Sequence, residues 1–384
     1  MSRNKYIPYG HQWINNDDIK EMIKVLKSEW ITQGPKVKEF EEALCEYTGA
    51  KYAVAVSSGT AGLHIACLAA GIKEGDEVIT SPITFVASAN CILYCGGTPV
   101  FVDVQEDTIN IDPEEIEKKI TKKTKAIIPV HFAGHPCDLE EIHSIAKKYG
   151  LIIIEDACHA LGAEYKGSKI GSCKYSNMTI FSFHPVKSIT TGEGGAVLTN
   201  NKNLYKKLLM LRNHGITKER KSFIYEYEGP WYYETQFLGY NYRLTDIQCA
   251  LGISQLKKLD KFIQRRREIV EIYKEVFKNN EFFDLPVEKD YAKSSWHLYP
   301  IRLKDKYKDK KREIFAKLRE KGLGVQVHYI PVYWQPYYQR LGYKKGICPR
   351  AEDFYQREIS IPLYPAMSGR DINYVINSIR GINE

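Results

Sequence analysis

Between residues 50 and 200 the chain alternates short apolar runs with amphipathic stretches. Tyr52–Val56, Glu77–Thr80, Pro99–Asp103, Lys125–Val130 and Leu151–Ile154 read as buried strands, and 178–183 and 195–199 bring the set to about seven. The connecting stretches carry helical periodicity: Gly59 to Gly71, Phe85 to Tyr94, a segment opening at Asp112, and Asp138 to Tyr149. Asp112-Pro113-Glu114-Glu115 supplies a cap, a proline at the first helical position and early acids. Buried strands separated by helices predict an α/β fold with a large, mostly parallel seven-stranded sheet covered on both faces.

The flanks read differently. Asn16-Asp17-Asp18 starts a helix whose apolar stripe is Ile19, Met22, Ile23 and Leu26, and a second helix spans 35–47. After residue 200 the pattern turns helical, with a polar and aromatic excursion at 216–237 and a long charged helix at 256–277. Strands at 298–303 and 325–328 around a helix at 311–320 form a smaller α/β unit. The expected division is therefore an N-terminal arm and first helix (1–35), a large domain (36–255) and a small C-terminal domain (256–384).

Composition narrows the function classes. The chain has 384 residues, 43% of them hydrophobic, enough for a sizeable core. Its formal charge of +8 is scattered rather than gathered into a tail. Arg265-Arg266-Arg267, the densest basic cluster, reads as the wet face of a helix, so no nucleic-acid partner is expected. A modest positive surface suits an anionic small substrate. No apolar stretch is long enough to cross a bilayer, and the opening residues lack the apolar core of a secretory signal. Nine cysteines without a CxxC pair point to a cytoplasmic protein, and ten dispersed histidines give no metal spacing. Neither GxGxxG nor a loop ending in Gly-Lys-Ser/Thr is present, which argues against a dinucleotide-binding regulatory protein.

Three stretches offer chemistry. Ser57-Ser58-Gly59-Thr60 lies between a strand and a helix, where free N–H groups make either a phosphate cradle or a simple cap. Asp156 follows a run of aliphatic residues and is either a helix cap or a buried carboxylate. Residues 178–198 read as two strands joined by a glycine-rich link containing Ser182, His184 and Lys187. Lys187 is either a solvated surface charge or a buried amine able to attack a carbonyl. All three fall where ligands bind in such sheets, beyond strand carboxyl ends. Pyridoxal phosphate needs what these stretches and Phe85 offer: a held phosphate, a covered ring, a carboxylate at the pyridine nitrogen and an amine for its aldehyde.

The stretches SSGTAGLHIA, PITFVASANC, IIIEDACHALGAEYKG, FSFHPVKSITTGEGGAVLTN, LGYNYRLTDIQCALGISQLKKLD and VQVHYIPVY resemble the DegT/DnrJ/EryC1/StrS family of sugar aminotransferases, in family order and over nearly the whole chain. The resemblance implies the aspartate-aminotransferase (type I) fold, pyridoxal 5'-phosphate with pyridoxamine 5'-phosphate as its alternate form, and a homodimer with shared active sites. It assigns Lys187 the covalent link to the cofactor and the proton transfers, Asp156 the pyridine nitrogen, and His159 a place near the ring. Gly59, Thr60 and Ser182 would hold the phosphate, joined by Asn241 from the neighbouring subunit, and Phe85 would stack on the ring. Tyr9, Trp30, Ile31, Thr32, Val327, His328, Tyr329 and Ile330 would contact the nucleotide sugar. Relatives that dehydrate carry histidine at the lysine position, so Lys187 favours transamination. Within the family the sequence is most similar to the pseudaminic-acid branch. The expected reaction there moves an amino group from L-glutamate to C4 of UDP-2-acetamido-2,6-dideoxy-β-L-arabino-hex-4-ulose. Another nucleotide-linked 4-keto-6-deoxy sugar, as in perosamine synthesis, is the alternative acceptor.

Overall fold

The computed structural model describes residues 6–381. Two helices lead in: α1 (Asn16–Leu26) and α2 (Pro35–Thr48). The seven strands of the main sheet follow as β1 (Tyr52–Val56), β2 (Glu77–Thr80), β3 (Thr98–Phe101), β4 (Thr124–Ile128), β5 (Ile152–Asp156), β6 (Met178–Ser182) and β7 (Gly195–Thr199). Helices α3 (Gly59–Ala69) and α4 (Ala87–Tyr94) follow β1 and β2. The spatial order is β1-β7-β6-β5-β4-β2-β3, with β7 antiparallel to both neighbours and the other pairs parallel. The carboxyl ends of β1, β5 and β6 and the start of β7 therefore share one edge. The mostly parallel seven-stranded sheet is as the sequence predicts. Its strands are buried on both faces, so their apolar runs are nearly continuous.

Helix α1 departs from expectation. Its cap is Asn15, in a reciprocal capping box with Asp18. The predicted inward stripe faces out: Ile19 is 47% exposed, Ile23 43% and Leu26 57%. The helix docks instead through Val25 and Asp18. Asp18 accepts hydrogen bonds from Ser254 Oγ (2.6 Å), Gln255 Nε2 (2.8 Å) and Lys258 Nζ (2.6 Å). An apolar stripe shows which side avoids water but not what covers it.

The C-terminal half begins with α5 (Asp246–Leu256) and α6 (Leu259–Phe277), the long charged helix opening three residues later than expected. An antiparallel sheet of β8 (Phe283–Asp284), β9 (Tyr299–Leu303) and β10 (Glu358–Ile361) carries a second apolar cluster. The expected strand at 325–328 is absent. Leu323–Gly324 pairs with Ile7–Pro8, and only a single bridge joins Gln326 to Ser360. The N-terminal arm is thus stitched to the C-terminal unit.

Arg266 corrects the reading of the arginine triplet. Successive residues on a helix point about 100° apart, so three in a row cannot share one face. Arg266 is 1% exposed and donates to the carbonyls of Trp296, His297 and Leu363. Burial pulls its pKa down to about 10. Replacing Arg266 by leucine strands those carbonyls and is expected to lower unfolding free energy by about 3 kcal/mol. Denaturant titration of the variant against the parent checks this; a change within about 0.5 kcal/mol would contradict it.

Candidate functional site

A cavity of about 690 Å³ opens at the shared strand edge. The structure brings Gly59, Thr60, Phe85, Asp156, His159, Ser182 and Lys187 to its wall, together with Tyr9, His328 and Tyr329. These residues come from segments spread over more than three hundred positions.

Lys187 lies on the turn after β6, its backbone N–H bonded to the His184 carbonyl at 2.9 Å. Its side chain is partly buried, and its Nζ has no hydrogen-bond partner among the described residues. Burial pushes the amine's pKa below that of an ordinary lysine, while Cys158 and Asp156 nearby pull it partly back. An amine that sheds its proton more readily than a surface lysine is a nucleophile and a proton carrier.

Asp156 ends β5 and is 6% exposed. One carboxylate oxygen accepts from Ser88 Oγ at 2.6 Å and the other from the Cys158 N–H at 3.1 Å. The carboxylate is thus held in one orientation rather than serving as a helix cap. Ser88 was not singled out from the sequence, where it is one small residue inside an apolar helix. Its role shows only when α4 crosses the end of β5. Ser88→Ala removes a hydrogen bond to a charged group and is expected to lower kcat/KM about tenfold. Steady-state kinetics check this, and an unchanged kcat/KM would show that Asp156 needs no such anchor.

The start of α3 forms the floor. Ser58 caps the helix by accepting the Ala61 N–H at 3.1 Å. The first-turn N–H groups point out of the helix, where an anion is favoured. Close packing brings this terminus to the strands. A Cβ at Gly59 would sit 2.9 Å from the Ser182 Cβ, and one at Gly195 would sit 2.6 Å from the Ser58 carbonyl oxygen. Phe85, 59% exposed, stands at the cavity wall just before α4.

Histidines form the opposite wall. The Tyr329 hydroxyl and His159 Nε2 lie 3.2 Å apart, and the His159 and His297 rings 4.3 Å apart. Burial and the neighbouring Lys187 hold His159 neutral, well below the usual histidine range. Burial lowers His328 to about 3. His297 was not expected from the sequence, where nothing distinguishes it from its neighbours.

The remaining expected residues are not brought to this cavity within one chain. Val327 and Ile330 flank the lining pair but lie outside the wall. Trp30 and Ile31 are exposed, and Thr32 bridges Thr245. Asn241 is exposed and bridges Asn213. The Thr32–Thr245 bridge places the 30–32 and 241–246 segments side by side.

The DegT/DnrJ/EryC1/StrS aminotransferase family matches residues 12–380. The UDP-4-amino-4,6-dideoxy-N-acetyl-β-L-altrosamine transaminase of Campylobacter jejuni (strain 81-176) is 46% identical over 381 residues, 98% of each chain. The solved structure of Helicobacter pylori PseC, an aminotransferase of pseudaminic acid biosynthesis, superposes with a TM-score of 0.92 at 37% identity, covering 98% of this chain and 99% of that one. Bacillus subtilis NtdA, solved with bound pyridoxamine phosphate, gives a TM-score of 0.85 at 30% identity over 96% of this chain and 82% of that one.

Proposed function

This chain belongs to the DegT/DnrJ/EryC1/StrS aminotransferase family, and from that membership we propose that it transfers an amino group from L-glutamate to C4 of UDP-2-acetamido-2,6-dideoxy-β-L-arabino-hex-4-ulose. The reaction makes the 4-amino sugar used for pseudaminic acid. The observation that carries the reading is the near-complete match to the Campylobacter altrosamine transaminase in a chain whose cavity gathers Lys187, Asp156 and the α3 terminus.

The residues present fit pyridoxal phosphate. Gly59 and Gly195 leave the α3 terminus clear of side-chain carbon, and Lys187 Nζ is uncommitted. Gly59, Thr60 and Ser182 would hold the phosphate, Phe85 would cover a ring face, and Asp156 would face the pyridine nitrogen. When bound, the cofactor supplies an aldehyde that exchanges amino groups and a ring that accepts electrons.

The chain's own groups do the rest. Lys187 Nζ takes a proton from Cα of glutamate in the first half-reaction and delivers one to C4 of the sugar in the second. Its lowered pKa suits both directions. Asp156, fixed by Ser88 and the Cys158 N–H, holds negative charge at the end of β5. His159, kept neutral, orients against Tyr329 without adding a second cation beside Lys187. Tyr9, His328 and Tyr329 line the sugar-nucleotide side.

The protein acts as a homodimer with shared sites. The exposed face of α1 continues into Trp30 and Ile31; the 216–237 excursion adds Trp231 (72% exposed), and Leu238 (80%) follows it directly. Apolar area of this extent on a single copy marks an interface. A second copy covering it brings its Asn241 and Trp30–Thr32 to the cavity. Nine free cysteines suit a cytoplasmic setting, and no helix among the described residues is long and apolar enough to cross a membrane.

A side-by-side assay of UDP-, GDP- and dTDP-linked 4-keto-6-deoxy sugars with L-glutamate tests the acceptor. The UDP-linked N-acetylhexosulose should give the highest kcat/KM; preference for the GDP-linked sugar would move the assignment to perosamine chemistry.

A further inference from the structure

His328 has a second tier of support that the reaction described above does not use. Glu358 and Ser360, both wholly buried on β10, sit behind it. The His328 backbone N–H donates to Glu358 Oε2 at 2.8 Å. Ser360 Oγ lies 2.9 Å from His328 Nδ1 and donates to Glu358 Oε1 at 2.5 Å. The bridge between Gln326 and Ser360 fixes the two backbones, with N–O distances of 2.8 and 3.1 Å. The assembly is therefore rigid and closed on the side away from the cavity.

The proton count in this chain has one solution when Glu358 is a carboxylate. A hydroxyl carries a single proton. Ser360 gives that proton to Glu358, so its oxygen must accept from His328, and Nδ1 must carry a hydrogen. A neutral imidazole has only one N–H, which leaves Nε2 as a bare lone pair. The ring lines the cavity, and Nε2 has no partner among the described residues. Burial outweighs the Ser360 hydroxyl, the Lys311 amine and the His328 N–H, which favour the carboxylate, and raises the Glu358 carboxyl to about 8, so this proton arrangement is the one present above that pH.

We propose that Glu358 and Ser360 are positioning residues that lock His328 as a hydrogen-bond acceptor facing the sugar-nucleotide side of the cavity. The inference rests on the transaminase reading. An acceptor there recognises an O–H or N–H donor on the nucleotide sugar, such as a ring hydroxyl or the acetamido N–H. The same lone pair repels carboxylate oxygens, so it adds nothing to the binding of L-glutamate's two carboxylates. One pocket that must admit both a dicarboxylate and a sugar nucleotide thereby acquires an element that reads only the second. Glu358→Gln reverses the chain: the amide donates to Ser360, Ser360 donates to Nδ1, and the hydrogen moves to Nε2.

The test uses the full-length holoenzyme labelled with ring-15N histidine, with the His328 signals assigned by their loss in His328→Asn. The expected result, recorded about one pH unit above 8 so that Glu358 is ionised, is a protonated Nδ1 and a bare Nε2 in the parent, and the reverse in Glu358→Gln. In single-turnover kinetics the glutamate half-reaction should stay within about threefold of the parent in Glu358→Gln, while KM for the UDP-ketosugar rises about tenfold. Ser360→Ala, a smaller change, should raise the same KM and remove the slowly exchanging Nδ1 proton. It keeps the proposal testable if Glu358→Gln does not fold. A protonated Nε2 in the parent would overturn the proposal, as would equal losses in both half-reactions. Absence of transamination with every ketosugar would instead overturn the functional reading, and the nitrogen spectra distinguish the two failures.

Discussion

Lys187→Ala is expected to lower transamination by about ten-thousand-fold or more, because on the proposed assignment it removes both the amine that would bond the cofactor and the group that would move the proton. Nothing else in the cavity can replace it. Burial makes the His159 and His328 imidazoles weak bases, an imidazole does not form the imine that a primary amine makes with an aldehyde, and His159 is already paired with Tyr329. Lys187→Arg separates charge from chemistry. It keeps a cation of similar reach, but a guanidinium does not give up its proton, so this variant should be equally inactive. Steady-state turnover with glutamate and the ketosugar is the measurement, with borohydride reduction as a second readout. Reduction should fix the cofactor to the parent protein and not to either variant. Activity within tenfold of the parent in Lys187→Ala would refute the assignment.

The second large effect falls on Asp156. Asp156→Asn keeps the shape and can still accept from Ser88, but it removes the negative charge at the end of β5. A fixed charge aimed at a reacting group contributes most where water is excluded, and removing such a group typically lowers kcat by about 100- to 1,000-fold. The loss is expected in kcat for both half-reactions, with KM for glutamate and for the sugar little changed. A rise in KM alone would mean that Asp156 binds substrate. Because Ser88 acts only by holding Asp156, Ser88→Ala in the Asp156→Asn background should cost less than its tenfold effect in the parent.

Much of this was legible in the chain. The sheet strands could be read because each is a short run of apolar residues bounded by turn residues. Lys187, Asp156 and Gly59 could be read because strand ends in an α/β sheet converge on one edge. Ser88 and His297 could not, since their significance lies in contacts between elements distant in sequence. The same holds for Glu358 and Ser360. In the sequence EISIPLYP they look like the polar positions of an alternating strand, the pattern that ordinarily faces water. Instead both are buried, because a second layer holding His328 lies against that face. The inverse error occurred in α1, where Ile19, Ile23 and Leu26 have the spacing of a core face yet stand exposed. Amphipathic periodicity reports the two sides of a helix; a partner subunit can cover the apolar one as well as a core can. Arg266 shows a third limit. Charge suggests exposure, but three backbone carbonyls arranged around a guanidinium satisfy it inside the protein.

The most direct test of the central claim is transfer of 15N from labelled L-glutamate to UDP-2-acetamido-2,6-dideoxy-β-L-arabino-hex-4-ulose by the purified protein with pyridoxal phosphate, followed by NMR of the product. The account predicts one 15N bonded to C4 of the sugar for each 2-oxoglutarate formed. Recovery of the ketosugar unchanged, with no label at C4, would contradict it.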